Sequence, residues 1–163
     1  PVTAWAMTQR VLRIPAGGWL LQTAAGSQLG RMVIRLGRQL GFRTINVVRR
    51  DEQIEELTRL GGDAVFAFDV ASQAPEDLAA MVHEITGAGG VEWAIDPVGG
   101  ELGSAVIGCL AQGGRMLVFG TLDDQPLAFS PRSLMTPGAS VEGFWLARWL
   151  GKQSLMRMKR WRN

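Results

Sequence analysis

Residues 20–33 read LLQTAAGSQLGRMV, and this stretch decides the fold. An apolar run ends at Leu21, small residues follow at a three-residue spacing, and apolar residues then recur at helical intervals. The spaced small residues are Ala24, Ser27 and Gly30. This pattern predicts a buried β-strand that turns tightly into an α-helix over 28–40.

The turn between the strand and the helix has the composition of an anion-binding loop. A helix N-terminus carries amides without partners, and small residues let a phosphate approach the backbone. Gly26 gives the bend conformational freedom, and Gly30 lets the helix cross the strand closely. We expect the amides of Ser27, Gln28 and Leu29 to bind a nucleotide pyrophosphate, with the Ser27 hydroxyl as a further donor. The alternative is a small-residue turn that only packs the helix on the strand.

Short apolar runs and helical patterns alternate along the rest of the chain. They predict strands over 19–24, 44–49, 64–68, 92–96 and 116–120, a shorter strand near 140–142, and helices over 28–40, 51–60, 75–86 and 99–111. The strands lack apolar–polar alternation, as is typical of a parallel sheet covered on both faces. We therefore predict an α/β fold with a doubly wound, mostly parallel six-stranded sheet and helices on both faces.

Arg49 ends the second predicted strand, nineteen residues beyond Gly30. About 20 residues past such a loop, an acidic residue binds the ribose of NAD, whereas an arginine accommodates the 2′-phosphate of NADP(H). A guanidinium would form charge-assisted hydrogen bonds with that phosphate. We therefore expect NADP(H), and Asp51 leaves NAD(H) open as the alternative. The other interpretation of Arg49 and Arg50 is a solvated pair offset by Asp51 and Glu52.

Charge and composition exclude several classes of protein. The chain has 163 residues, of which 17 are basic and 15 acidic. Five of the bases and none of the acids fall in residues 151–163, so residues 1–150 carry a net charge of −3. We expect no nucleic-acid partner and, since no apolar run reaches the roughly 20 residues of a membrane helix, no membrane partner. We expect a nucleotide-binding domain over 1–150 and a basic amphipathic helical tail over 151–163. We expect the protein to be cytoplasmic, and an organelle matrix is the alternative location.

Other chemistry-bearing side chains have ordinary structural explanations. His83, the only histidine, falls on a predicted helix, and Cys109, the only cysteine, falls in an apolar run that predicts a buried, inert thiol. Asp123 and Asp124 precede Pro126 in a predicted turn. Since histidine and cysteine do not cluster, we expect no metal site in this chain. Since the residues present supply no acid–base pair, we also expect no catalytic residue in it.

Six segments that follow one another in a fixed order carry a family resemblance. They are TAWAM (3–7), LLQTAAGSQLGRMVIRLGRQLG (20–41), RTINVVRR (43–50), GVEWAIDPVGG (90–100), GGRMLVFGTL (113–122) and VEGFWL (141–146). The set resembles the Rossmann-type cofactor-binding domain of the medium-chain dehydrogenase/reductase superfamily, which includes the zinc-binding dehydrogenases. Within it, the chain resembles the zinc-independent branch of quinone oxidoreductases and mitochondrial-type 2-enoyl thioester reductases. TINVVR and GFWL favour the enoyl reductase side.

The resemblance implies roles at the adenosine end of the cofactor. Residues 26–29 match the pyrophosphate loop of the family. Arg49, Arg50 and Asp51 match the segment that binds the 2′-phosphate, which commonly reads Arg-Asp-Arg in that branch. Residues 96–100 match the loop beneath the cofactor.

Further positions match the nicotinamide end. Phe119, Gly120 and Thr121 match the turn beside the nicotinamide ribose. Phe144 and Trp145 match a segment whose backbone holds the nicotinamide carboxamide. All five are therefore expected cofactor-binding residues.

The resemblance also implies an activity for a longer protein. In full-length members, a separate catalytic domain supplies the substrate-side acid, a tyrosine in the enoyl reductases, and this chain contains no tyrosine. We expect an NADPH-dependent oxidoreductase that transfers hydride to an α,β-unsaturated thioester, a ketone or a quinone, with this fragment alone inactive. A small-molecule substrate bound through the catalytic domain and a homodimer are the expected partners. The alternative is a non-catalytic nucleotide-binding module with a regulatory or interaction role.

Overall fold

Six parallel β-strands form one sheet in the computed structural model, which describes residues 1–87 and 89–152. The strands are β1 (Trp19–Gln22), β2 (Arg43–Val48), β3 (Ala64–Ala67), β4 (Val91–Asp96), β5 (Leu110–Val118) and β6 (Ser140–Gly143). Their order across the sheet is β3-β2-β1-β4-β5-β6, and every neighbouring pair runs parallel. The predicted doubly wound α/β architecture is therefore confirmed.

Helices connect the strands. They are α1 (Val2–Trp5), which continues as a π-helical segment (Ala6–Val11), α2 (Gln28–Leu40), α3 (Ile54–Leu60), α4 (Pro75–Thr86), α5 (Gly100–Ile107), α6 (Arg132–Met135) and α7 (146–152). Of the tail helix predicted over 151–163, residues 153–163 lie outside the described residues. None of the helices described is both long and apolar enough to cross a bilayer.

Helices cover both faces of the sheet, because successive residues of a strand point to opposite sides. Leu20 and Leu117 pack on one face, in a cluster with residues of α1 and α2. Leu21 and Met116 pack on the other face, in a cluster with residues of α4 and α5. All four side chains are fully buried, which explains why the strands show no apolar–polar alternation.

The first turn of α2 packs against the β1–α2 turn at Gly30, where there is no room for a side chain. A Cβ atom at Gly30 would lie 2.4 Å from the carbonyl oxygen of Ala25. Gln22, buried in β1, donates from Nε2 to the carbonyl oxygen of Gly30 at 3.1 Å and to Oδ1 of Asn46 at 2.7 Å. The close contact and these hydrogen bonds fix the N-terminus of α2 at the carboxyl end of β1.

The structure corrects several boundaries and adds one element. The helix predicted over 51–60 begins with a 3₁₀ turn at Asp51–Gln53 and is an α-helix only from Ile54. The helix predicted over 99–111 ends at Ile107. The fifth strand, predicted to start at residue 116, already starts at Leu110, because Leu110 pairs with Val91. A continuous apolar run does not distinguish a buried helix from a buried strand, which explains the error. The α1 helix and its π-helical continuation were not predicted, although they supply buried residues to one face of the sheet.

Asp96 ends β4 with a buried carboxylate that ties two loops together. Thr23 Oγ1 donates to Asp96 Oδ1, and the amide of Val98 donates to the same oxygen at 3.1 Å. The amide of Gly99 donates to Oδ2 at 2.8 Å. Burial raises the pKa of Asp96 above its usual value, and the three hydrogen bonds oppose the rise. The carboxylate thus joins the carboxyl ends of β1 and β4.

We expect Thr23→Val to destabilise the protein by about 1–3 kcal/mol at neutral pH, because the buried Asp96 carboxylate loses a donor. The folded state binds the Asp96 proton more tightly than the unfolded state does. Stability therefore falls as the pH rises from 3.8, the usual aspartate pKa, through the raised pKa. Loss of the hydroxyl raises that pKa further, so acidification should shrink the stability deficit of the variant. Urea unfolding at several pH values measures both effects.

Thr58→Val is the matched control, because Thr58 Oγ1 donates to the carbonyl oxygen of Ile54 at an exposed helix position. We expect this change to alter stability by at most about 0.5 kcal/mol. A deficit of Thr23→Val that stays constant with pH would contradict the role given to the Asp96 carboxylate.

Candidate functional site

The residues that the sequence assigns to a cofactor all lie at the carboxyl edge of the sheet. Arg49 and Arg50 follow β2, and residues 119–121 and 144–145 follow β5 and β6. Residues 26–27 lie in the β1–α2 turn, and residues 28–29 begin α2. Since the strands are parallel, these loops lie along one edge in the order β2, β1, β5, β6. Open α/β sheets bind ligands at this edge, where the strand order reverses.

The N-terminus of α2 presents amides to this edge. Ser27 caps the helix, and its Oγ accepts from the amide of Gly30 at 3.1 Å. The amide of Ser27 donates to the carbonyl oxygen of Ala24 at 2.9 Å, so this expected phosphate donor is already engaged within the loop. Among the described residues, no acceptor meets the amides of Gln28 and Leu29. Two donors and the positive end of the helix dipole therefore remain at the turn.

A surface ion pair holds the shape of the turn. Arg31 Nε donates to the carbonyl oxygen of Gly26 at 3.0 Å, and its guanidinium contacts both carboxylate oxygens of Glu56 in α3. The hydrogen bond from Arg31 lowers the pKa of Glu56, so the carboxylate stays ionised at neutral pH. Ala24 takes a positive φ of 48°, which costs a non-glycine residue about 1 kcal/mol. The turn is thus held in one defined and strained shape.

A cleft of about 730 Å³ opens beside this turn at the carboxyl ends of the strands. Ala24 lines it after β1, Arg49 after β2, Asp69 after β3 and Thr121 after β5. Asp69 was not predicted, although it directly follows the apolar run over 64–68. Of the predicted cofactor residues, Arg49 and Thr121 line this cleft, whereas residues 26–29 and Arg50 do not.

Arg49 and Arg50 are both exposed, and neither forms an ion pair with a described residue. The β2 strand ends at Val48, so Arg49 lies just beyond it rather than within it. Arg49 lines the 730 Å³ cleft, and both arginines line a neighbouring depression of about 370 Å³ together with Asp51 and Glu52. Of the two cations, Arg49 is thus the one that borders both spaces.

A second cleft, of about 600 Å³, lies at the ends of β5 and β6. Residues 119–121 and 144–145 all line it. A Cβ atom at Gly120 would lie 2.8 Å from the carbonyl oxygen of Pro97, so only glycine lets these two loops pack together. Thr121 lines both clefts, so Arg49 and the predicted nicotinamide-side residues border adjoining spaces.

The remaining side chains singled out by the sequence lie in ordinary structural environments. His83 is half-buried on α4, and Cys109 is buried beyond α5. Burial raises the pKa of the Cys109 thiol to about 12, so it stays protonated and unreactive. Asp123 Oδ1 accepts from the amide of Gln125 at 2.9 Å within a turn. Across the part of the chain that the structure describes, no three His, Cys, Asp or Glu side chains lie together as metal ligands would.

Curated relatives of the chain are mitochondrial reductases. The mitochondrial enoyl-[acyl-carrier-protein] reductase of Schizosaccharomyces pombe is 30% identical over 153 residues, which cover 91% of this chain and 41% of the relative. The human protein of the same name is 31% identical over 91% of this chain and 40% of its own length. The chain thus spans about two fifths of the curated relatives it matches. Their mitochondrial names contradict the expectation of a cytoplasmic location.

Solved structures share the fold. A Bacillus thuringiensis protein assigned as an NADPH:quinone reductase superposes with a TM-score of 0.82 and 30% identity, over 93% of this chain and 44% of that one. The sequence profile of the zinc-binding dehydrogenases matches residues 29–159, from the start of α2 to beyond β6. This match covers more than half of the chain, and it confirms the resemblance drawn from the six sequence segments. The chain therefore belongs to the zinc-binding dehydrogenase family.

Proposed function

We propose that residues 1–150 form a binding domain for NADP(H). The observation that carries the proposal is the pair of amides at Gln28 and Leu29, which meet no described acceptor at the positive end of α2. Arg49 follows β2, the strand next to β1 in the sheet. Two anion-binding features at the ends of neighbouring strands suit a pyrophosphate and a ribose 2′-phosphate on one ligand. A mycobacterial relative solved with NADPH, at 25% identity and a TM-score of 0.77 over 88% of this chain and 42% of that one, supports the proposal.

At the adenosine end, the chain binds phosphate through its backbone and through one guanidinium. The amides of Gln28 and Leu29 bind the pyrophosphate, and the exposed Ser27 hydroxyl still has its proton to donate. Gly26 carries no Cβ atom, and the Gln53 side chain packs in the space that such an atom would take. Arg49 pairs with the 2′-phosphate, which favours NADP(H) over NAD(H).

At the other end of the groove, the loops after β5 and β6 hold the nicotinamide. Residues 119–121 contact its ribose, and the backbone of residues 144–145 binds its carboxamide. The amide of Phe119 donates to the carbonyl oxygen of Asp96 at 3.0 Å, and the amide of Phe144 donates to that of Val118 at 2.8 Å. These hydrogen bonds anchor both loops to the sheet, so the groups that orient the nicotinamide are fixed before the ligand arrives.

We propose further that the full-length protein reduces an α,β-unsaturated thioester, since the S. pombe and human relatives are enoyl-[acyl-carrier-protein] reductases. NADPH supplies the hydride, and this chain binds and orients the donor. The assignment of the B. thuringiensis structure makes a quinone the second candidate substrate. The described residues hold no zinc-ligand set despite the family's description, and the proposal routes no step through a metal.

Self-association of the protein is also part of the proposal. Among the described strands, β6 lies at the end of the sheet and pairs only with β5. Arg115 and Glu142 join the two strands through two contacts of 2.8 and 3.0 Å, which keep β6 in register. An ordered edge strand with free backbone groups is suited to pairing with a second copy.

The activity is tested on the full-length gene product by following NADPH oxidation. We expect turnover with an enoyl thioester to exceed turnover with a quinone. The reverse order would replace the thioester by the quinone as substrate. Tight NADPH binding with neither turnover would favour a non-catalytic nucleotide-binding module instead.

We expect Gln28→Pro to weaken NADPH binding about tenfold without loss of stability. Gln28 is the first residue of α2, where proline fits and removes only an amide that the helix does not use. Ser27 has φ −68° and ψ 162°, a conformation that is allowed before proline. Calorimetric titration gives the affinity, and thermal unfolding reports the stability. Gln28→Ala, which keeps the amide, should bind as the unmodified protein does, and equal affinity of the two variants would refute the phosphate site.

We expect Arg49→Gln to weaken NADPH binding about tenfold or more and to leave NADH binding unchanged, because only NADPH carries the 2′-phosphate. Fluorescence titration with both nucleotides measures the difference. Arg35→Gln, at an exposed position on α2, is the control and should change neither affinity. A tenfold preference of the unmodified protein for NADH would count against this role of Arg49.

A further inference from the structure

One wall of the second cleft, at the ends of β5 and β6, is formed by one face of α7 and the residue before it. Trp145, Arg148, Trp149 and Lys152 all line this cleft of about 600 Å³. Their spacing of three, four and seven residues places them on one side of a helix. The amide of Trp149 donates to the carbonyl oxygen of Trp145 at 3.0 Å, so the helical turn already begins at Trp145. The wall therefore alternates aromatic rings with cations along α7.

The cations on this wall are exposed, and no described residue that lines the cleft is acidic. The cleft beside α2 differs, because Asp69, Asp123 and Asp124 all line it. The potential is thus positive at the mouth of the second cleft, while Phe119 and Phe144 make its interior apolar. Such a space suits a ligand with an anionic end and a chain that is apolar in part.

The phosphates of the proposed cofactor do not account for these cations. The pyrophosphate site lies after β1, and β6 is three strands further along the sheet. At about 4.8 Å per strand, the two positions are about 14 Å apart. Arg148 and Lys152 lie beyond β6 on α7, at the nicotinamide end of the groove. They therefore face the side from which a substrate would meet the nicotinamide.

We propose that Arg148 and Lys152 bind the phosphate of a thioester substrate carried on phosphopantetheine. Phosphopantetheine has a flexible arm between its sulfur and its phosphate, with two amides and a gem-dimethyl group, and its thioester carries an apolar acyl chain. The two cations are one helical turn apart, about 6 Å, close enough to share one phosphate. The inference rests on the proposed thioester reduction and names the part of the substrate that this chain recognises. Coenzyme A and an acyl carrier protein both carry this group, whereas a quinone does not.

Calorimetric titration of the full-length protein, saturated with NADPH, with 4′-phosphopantetheine and with pantetheine tests the phosphate site directly. We expect the phosphorylated ligand to bind about tenfold more tightly, and this preference should fall with rising salt. Arg148→Gln and Lys152→Gln should each remove most of the preference, while Arg148→Lys should retain part of it. Arg132→Gln, at an exposed position on α6 outside the cleft, is the control and should leave the preference intact.

Kinetics with matched substrates separates recognition of the phosphate from other effects. For the crotonyl thioester of phosphopantetheine, both glutamine variants should raise KM about tenfold and leave kcat unchanged. KM for the crotonyl thioester of pantetheine should not change. Crotonyl-CoA and a crotonyl carrier protein should respond to the variants as the phosphopantetheine thioester does.

Three results would overturn the proposal. One is equal affinity of the unmodified protein for the two ligands, and another is an equal loss for both ligands in the variants, which would indicate a structural role. The third is an effect confined to the carrier-protein substrate, which would assign the cations to the carrier surface. A phosphate preference that persists without turnover of either thioester would support the site and refute the proposed activity, so the two failures are distinguishable.

Discussion

The carboxyl edge of this protein depends on how closely the first turn of α2 packs against the β1–α2 turn. A Cβ atom at Gly30 would lie only 2.4 Å from the carbonyl oxygen of Ala25 in that turn. A larger residue would push the start of α2 away from the turn and withdraw it from the sheet edge. The buried side-chain amide of Gln22 also fixes the start of α2, because it donates to the carbonyl oxygen of Gly30 and to Oδ1 of Asn46. The position of the Gln28 and Leu29 amides is therefore set by packing, before any ligand is considered.

The strand order then determines what those amides can meet. The chain moves outward from β1 to β3, returns to β4 beside β1, and moves outward again to β6. The loops after β1 and β4 consequently diverge and leave a crevice between them, as in other doubly wound sheets. Thr23 and Asp96 tie these two strand ends together beneath that crevice. Because Thr121 borders both clefts, one elongated ligand can occupy the two spaces at once.

The sequence predicted the features that local patterns encode. Apolar runs located all six strands, and the spacing of Ala24, Ser27 and Gly30 located the turn at which α2 starts. Sequence-based prediction failed where tertiary contacts determine an element boundary or a hydrogen bond. The start of β5 depends on pairing with β4, and the Ser27 amide is taken by a bond inside the turn that spacing does not reveal. Asp69 lines the cleft only because β3 ends beside β2. The cofactor-binding role of the residues along this edge stays a prediction, since geometry shows their placement rather than their occupancy.

Cys109 has a practical consequence beyond its packing. It is the only cysteine in the chain, it is buried, and its pKa of about 12 leaves almost no thiolate at neutral pH. Maleimide reagents should therefore spare the native chain while it is folded. A single cysteine introduced on the surface could carry a fluorescent or spin label without prior removal of Cys109. Because Cys109 does not react, a label on an introduced cysteine would report only on its own position, such as a loop along the sheet edge.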